Sequence, residues 1–217
     1  MSLLMQRKPP SDIPLLDGGT YMGVCVGVID LGEQYVQYEK QIQGKYVEQA
    51  IFIFEIPSER VQVNGEDKPR WLSSKKMALS LDERSNMYKM LVSWRGKPFS
   101  ETELNPKGGF HIGQMLGLPA MLSVSVGEGK DGRLHNAIES LTGFPKGIEA
   151  PKAESELLKF DADEPDFTVL EKLPEWVRNV IKKSTQFAGN PPDEKIEAPE
   201  MQSEPEQQPE DGEECPI

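Results

Sequence analysis

Residues 21–29 read YMGVCVGVI, and this stretch decides the fold. Met22, Val24, Val26 and Val28 recur at period two on one face, with Gly23, Cys25 and Gly27 between them. That is the alternation of a strand with one buried face, its small residues letting the backbone bend or another backbone approach. Gly32 reads as the stop. Further along, a second strand is predicted over 47–56, where the apolar run IFIF is bounded by Pro57, and a short third over 76–81, with Met77, Leu79 and Leu81 on one face. The period then changes. Met87, Met90, Leu91 and Trp94 fall at i, i+3, i+4 and i+7, behind Asp82 as N-cap and ahead of Gly96 as stop, which predicts one amphipathic helix. Ser100 and Glu103 have capping-box spacing, and residues 112–116 before Gly117 suit another helical turn. Strands resume where Leu122, Val124 and Val126 alternate with Ser123 and Ser125; residues 127–132 hold the Gly and Asp of a hairpin turn, and 134–141 return.

Three strands, a helical interlude and two strands give a mainly β (α+β) reading. The order matches the five-stranded Greek-key barrel called the OB-fold, with a helix between strands 3 and 4; a β-sandwich or an open α+β sheet gives a similar string. After the barrel, Pro145 and Pro151 frame a linker, and residues 173–176, LPEW, open a C-terminal helix that carries Trp176, Val177, Val180 and Ile181 on one side and docks on the barrel. Lys182 and Lys183 suit its C-terminal end. The division is therefore a flexible N-terminal arm (1–17), an OB-fold domain (18–150), a linker and docking helix (151–189), and a disordered acidic tail (190–217).

The tail follows from composition. Residues 190–217 contain six prolines and ten acidic residues against the single Lys195, with no aromatic residue. Such a segment offers too little apolar surface to offset roughly 1–2 kcal/mol of backbone entropy per ordered residue. It also dominates the net charge of −12. Residues 1–150 hold 17 Lys+Arg against 18 Asp+Glu, whereas 151–217 hold 7 against 18, so the body is nearly neutral and a nucleic-acid partner is not excluded.

No apolar run approaches 18 residues and the N-terminus lacks the order of a signal peptide, which predicts a soluble intracellular protein with no membrane partner. Two cysteines and two histidines cannot supply a disulfide framework or a structural zinc site. No catalytic motif surrounds His111 or His135, and phosphate loops of the GxxxxGK[ST] and GxGxxG types are absent, so neither catalytic residues, metal nor cofactor are expected. A metal-dependent nuclease remains the enzymatic rival, since a few clustered carboxylates would suffice for it.

Aromatic and basic residues interleave in the first long loop. Residues 35–46 read YVQYEKQIQGKY. Tyr35, Tyr38 and Tyr46 are stacking candidates for unpaired bases and Lys40 and Lys45 phosphate candidates, in the manner of single-strand binders that use π-faces without reading sequence. A second cluster brings Lys68, Arg70, Trp71, Lys75 and Lys76 together, and the last hairpin turn adds Lys130, Arg133 and His135. Each cluster also has a bland reading, because strand-edge tyrosines are commonly packed and lysine pairs commonly solvated. Trp94, Phe52, Phe54 and Tyr88 are assigned to packing.

The segments GVCVGVIDLGEQY (23–35), FEIPSERV (54–61), SLDERSNMYKMLVSWRGKPFSETEL (80–104), MLGLPAMLSV (115–124) and LPEWV (173–177) together resemble bacteriophage OB-fold single-stranded DNA-binding proteins of replication modules. The resemblance spans roughly 18–184 and rests on layout, not on a catalytic signature. It implies coating of exposed strands during DNA replication or recombination in the cytoplasm of an infected bacterial host, with no cofactor. The tail is similar to the acidic tips of bacterial and phage single-strand binders: Glu213 and Glu214 precede Pro216 and Ile217 as a partner-binding element, with Cys215 and the terminal Ile as departures. A tethered polyanion would also compete with DNA for a cationic groove. A protein-interaction adaptor of a replication or recombination complex is the rival of another class, and the sequence leaves self-association into a homo-oligomer open.

Overall fold

The computed structural model describes residues 13–37, 43–63, 65–105, 107–129 and 132–188. Seven strands, β1 (Gly19–Val36), β2 (Lys45–Val63), β3 (Glu66–Ser73), β4 (Met77–Ala78), β5 (Pro119–Glu128), β6 (Leu134–Gly143) and β7 (Leu158–Phe160), form one sheet. The helices are α1 (Asn86–Arg95), α2 (Glu101–Leu104), α3 (Phe167–Lys172), α4 (Glu175–Ile181) and α5 (Thr185–Ala188), with a 3-10 turn at Ile112–Met115. The chain is mainly β, as its period-two segments predict.

The strand order is β3-β2-β1-β5-β6, with β4 added to β2 and β7 to β1. All pairings are antiparallel except that of β7 with β1. No ladder joins β3 to β6, so the five-stranded closed barrel is corrected to a seven-stranded open sheet. Side chains span the seam instead. Arg70 Nη2 donates to Asn136 Oδ1 at 3.3 Å, and Lys75 Nζ, just beyond β3, reaches Glu139 Oε2 at 3.0 Å.

Several strands run past their predicted ends because the apparent stops are bulges. Gly32 adopts φ 72° where the β1–β2 register shifts between Asp30 and Gly32, and β1 continues to Val36. Pro57, which has no N–H to give, sits where the β2–β3 ladder skips between Ile56 and Arg60. A further shift between Cys25 and Gly27 separates faces that the simple alternation merges. Cys25 and Val28 therefore belong to one core, while Val26, Ile29 and Leu31 belong to another.

The first core lies between one side of the sheet and α1, where Trp94 stacks edge-on to Phe52 with ring centroids 5.6 Å apart, and its Nε1 donates to the Pro119 carbonyl at 2.9 Å. Ser85, rather than Asp82, caps α1: its Oγ accepts from Tyr88 N at 3.0 Å, and Gly96 closes the helix at φ 65°. Replacing Ser85 with Ala should lower stability by about 1 kcal/mol, measured as a shift in urea midpoint at unchanged m-value.

The second core covers the other side of the same sheet. Seven of its twelve buried residues, Leu158, Phe160, Ala162, Leu170, Leu173, Val177 and Ile181, come from beyond residue 150, so the C-terminal segment is part of the fold's interior. In α4, Val177 and Ile181 are buried whereas Trp176 stays 44% exposed, which removes Trp176 from the docking side predicted for it. At Gly32 this layer comes close to β1. A Cβ there would lie 2.7 Å from Ser184 Cβ, and the backbone is left-handed, so Gly32→Ala should destabilise the fold through both effects in the same denaturation assay.

Candidate nucleic-acid interface

The β1–β2 hairpin ends in a pair of tyrosines because the ladder sets Tyr35 directly opposite Tyr46. Their rings meet edge to face, centroids 5.3 Å apart at 62°, and both remain exposed, 54% for Tyr35 and 42% for Tyr46. Tyr35 is held in place: its hydroxyl accepts from Gly44 N at 3.1 Å, and a Cβ on Gly44 would collide with the ring at 2.5 Å. Glycine at 44 is thus a condition of this ring position.

Beside the pair lies an open groove of about 1150 Å³, bounded by the hairpin on one side and by β4 and the residues leading into α1 on the other. Lys45, Lys76 and Arg84 line it together with Glu33, Glu48 and Asp82. The groove therefore has mixed charge, with three cations against three carboxylates. Arg84 and Asp82 satisfy each other through a fork of hydrogen bonds at 3.0 and 2.8 Å, and the guanidinium holds the Asp82 carboxyl far below the usual carboxylate range.

The structure gathers only part of the predicted set here. Tyr35, Lys45, Tyr46 and Lys76 line the groove. Trp71 does not join them: Tyr46 alternates with Ala50 and Phe52 onto the α1 side, whereas Trp71 packs with the second core and its Nε1 donates to Ser155 Oγ at 3.0 Å. Arg70 is corrected from phosphate contact to interior strut, 8% exposed, its Nη1 donating to the Pro14 carbonyl at 3.1 Å; burial pulls its pKa down. Lys75 is paired with Glu139 across the seam. Lys68 pairs with Glu66 at 2.6 Å on β3, which includes residues that the sequence suggests are loop.

Arg133 is exposed in the β5–β6 turn, at the far end of the sheet. Because Val24 pairs with Pro119 and Gly19 with Val124, that turn lies beyond the start of β1, while Tyr35 lies near its end. Arg133 therefore lies apart from the hairpin tyrosines. Tyr38, Lys40, Lys130 and the tail residues Glu213, Glu214, Pro216 and Ile217 lie outside the described residues.

Sequence reasoning missed a second, smaller cleft, of about 380 Å³, lined by Asp30, His111, Lys159 and Asp161 among apolar walls. Asp30 is built into the fold, with Oδ1 accepting from Gly32 N at 2.8 Å and Oδ2 from Ala162 N at 3.2 Å; burial pushes its pKa up. Nothing in the local sequence flags these residues, since they arrive from β1, the 109–113 loop and β7.

Among the described residues no three His, Cys, Asp or Glu side chains come together in an arrangement that could hold a metal ion, and no helix is long and apolar enough to cross a membrane. Cys25 is fully buried, and burial pushes its thiol up to about 12, which keeps it protonated and unreactive at neutral pH. In a Cys215→Ser chain, Ellman's reagent at pH 8 should therefore detect no thiol until denaturant is added. No family model, no curated protein and no solved structure matches this chain.

Proposed function

We propose that the chain binds single-stranded DNA without reading its sequence, as part of bacteriophage DNA replication or recombination. The observation that carries this reading is the exposed, braced pair Tyr35–Tyr46 at the mouth of the groove. Rings held in position lose little freedom when a base stacks on them, and any base offers a π-face. Lys45 and Lys76 then follow the phosphates. With acidic groups interspersed, stacking contributes more than charge, so log affinity should fall with log salt at a slope of only about −1 to −2.

The strand order supports the finer assignment to the OB type. Counting only the five long strands, the first lies between the second and the fourth, and the sheet opens between the third and the fifth. Such an order is compatible with the Greek-key path of that fold, its last seam bridged by side chains in place of a ladder. The acidic tail acts as a tethered competitor for the groove and as a handle for replication or recombination proteins.

Titration of fluorescent oligo-dT across a salt series tests the reading. Saturable binding at low salt is the expected result, and deletion of residues 190–217 should tighten it. Absence of saturable binding sinks the proposal and favours the protein-interaction adaptor; strand cleavage on adding magnesium or manganese would instead point to a nuclease.

A further inference from the structure

Leu79 and Ser80 line both the tyrosine groove and the second cleft, so the two adjoin along that segment. Leu81, Met87, Phe110 and Ile112 give the second cleft, of about 380 Å³, apolar walls. At its rim stand His111, Lys159 and Asp161, all exposed.

These rim groups are arranged and not merely adjacent. Gly113 N donates to His111 Nδ1 at 3.1 Å, which places the imidazole proton on Nε2 and leaves an N–H donor there. A Cβ on Gly113 would come within 2.9 Å of the imidazole and 3.4 Å of Lys159 Cε, so glycine at 113 lets the ring and the lysine stem lie together over the loop. The neighbouring Asp30 has both carboxylate oxygens occupied by backbone N–H groups. Lys159 thus presents an ammonium beside an apolar slot, with one neutral donor and the Asp161 carboxylate as polar edges.

We infer that the second cleft receives one unstacked base of the strand that crosses the tyrosine groove, with Lys159 on the adjoining phosphate. Apolar walls suit the two faces of a base, and every base carries both an acceptor for His111 Nε2–H and an N–H for Asp161, so the slot accepts any of the four. This rests on the strand-binding reading and extends it by giving the strand a direction across the molecule, from the hairpin to β7.

The test uses the full chain, labelled dT oligomers of increasing length, and the exposed-site variants Lys159→Glu and His111→Ala, each checked for an unchanged circular dichroism spectrum. Wild-type affinity should rise in two stages with length. Lys159→Glu should weaken binding of the longer oligomers five- to tenfold and leave the shortest unaffected, and His111→Ala should act in the same direction to a smaller extent. A single abasic position scanned along a long oligomer should weaken wild-type binding at one place where it has no effect on Lys159→Glu. If the wild type binds and Tyr35→Ala/Tyr46→Ala weakens it, while Lys159→Glu matches the wild type at every length, the second cleft is not on the path and this inference alone falls. If the wild type binds no oligomer, both fall.

Discussion

Replacing Tyr35 and Tyr46 together with alanine should lower affinity for oligo-dT by about tenfold to a hundredfold at low salt. A base stacked on an aromatic side chain is worth roughly 1–3 kcal/mol, and tenfold corresponds to about 1.4 kcal/mol. The two rings touch each other edge to face, so they act as one platform, and the double change is the informative one. Stability should hardly respond, because both rings are exposed and belong to neither core. Fluorescence anisotropy gives the affinity and a urea melt the stability. A double variant that binds like the wild type would remove the platform from the mechanism.

The largest loss of stability is expected from Glu55→Ala. Glu55 is fully buried, and its carboxylate accepts from Glu154 N at 2.7 Å and from Ser155 N at 3.0 Å, fastening the C-terminal segment onto β2. Alanine leaves these two N–H groups without their acceptor and an empty space where the buried carboxylate stood, a cost of about 3 kcal/mol. For a chain of this size that corresponds to a fall in Tm of roughly 6–12 °C. Glu55→Gln keeps one acceptor oxygen and should lose about half as much. Calorimetry on the two variants checks the order; equal, small losses for both would mean that the segment is held by its apolar contacts alone.

The legible parts of the fold were those in which one side of an element faces solvent. Met87, Leu91 and Trp94 repeat at helical spacing because only one side of α1 meets the sheet, and β5 alternates cleanly for the same reason. In β1, burial is continuous from Gly23 to Ile29, with both sides covered and a bulge inside, and there the alternation misassigned the faces. A strand of three residues such as β7 is too short to carry a period, and the strand read over 76–81 shortens to β4, Met77–Ala78. Pro69 and the charged residues around it read as loop, yet they form β3, because an edge strand tolerates them.

For the site, the hairpin tyrosines were legible because adjacent strands bring near neighbours in sequence together, and Lys45 and Lys76 accompany them. What failed was inference from cationic character alone. Arg70 and Lys75 are spent on holding the seam, and Trp71 on receiving the C-terminal layer, and a count of charges or rings does not distinguish these uses from solvent exposure. Where β3 meets β6 is a non-local property that no short window of sequence contains.

The fastening of residues 153–181 over the sheet has a consequence for biosynthesis. Until a ribosome has delivered Ile181, the nascent hairpin of β1 and β2 carries Ile29, Ile51 and Ile53 naked to solvent or to a chaperone, so this side of the sheet orders only after residues 153–181 have been made. For the same reason an expression product stopped near residue 150 should partition into inclusion bodies, whereas one stopped near 188 should stay in the supernatant.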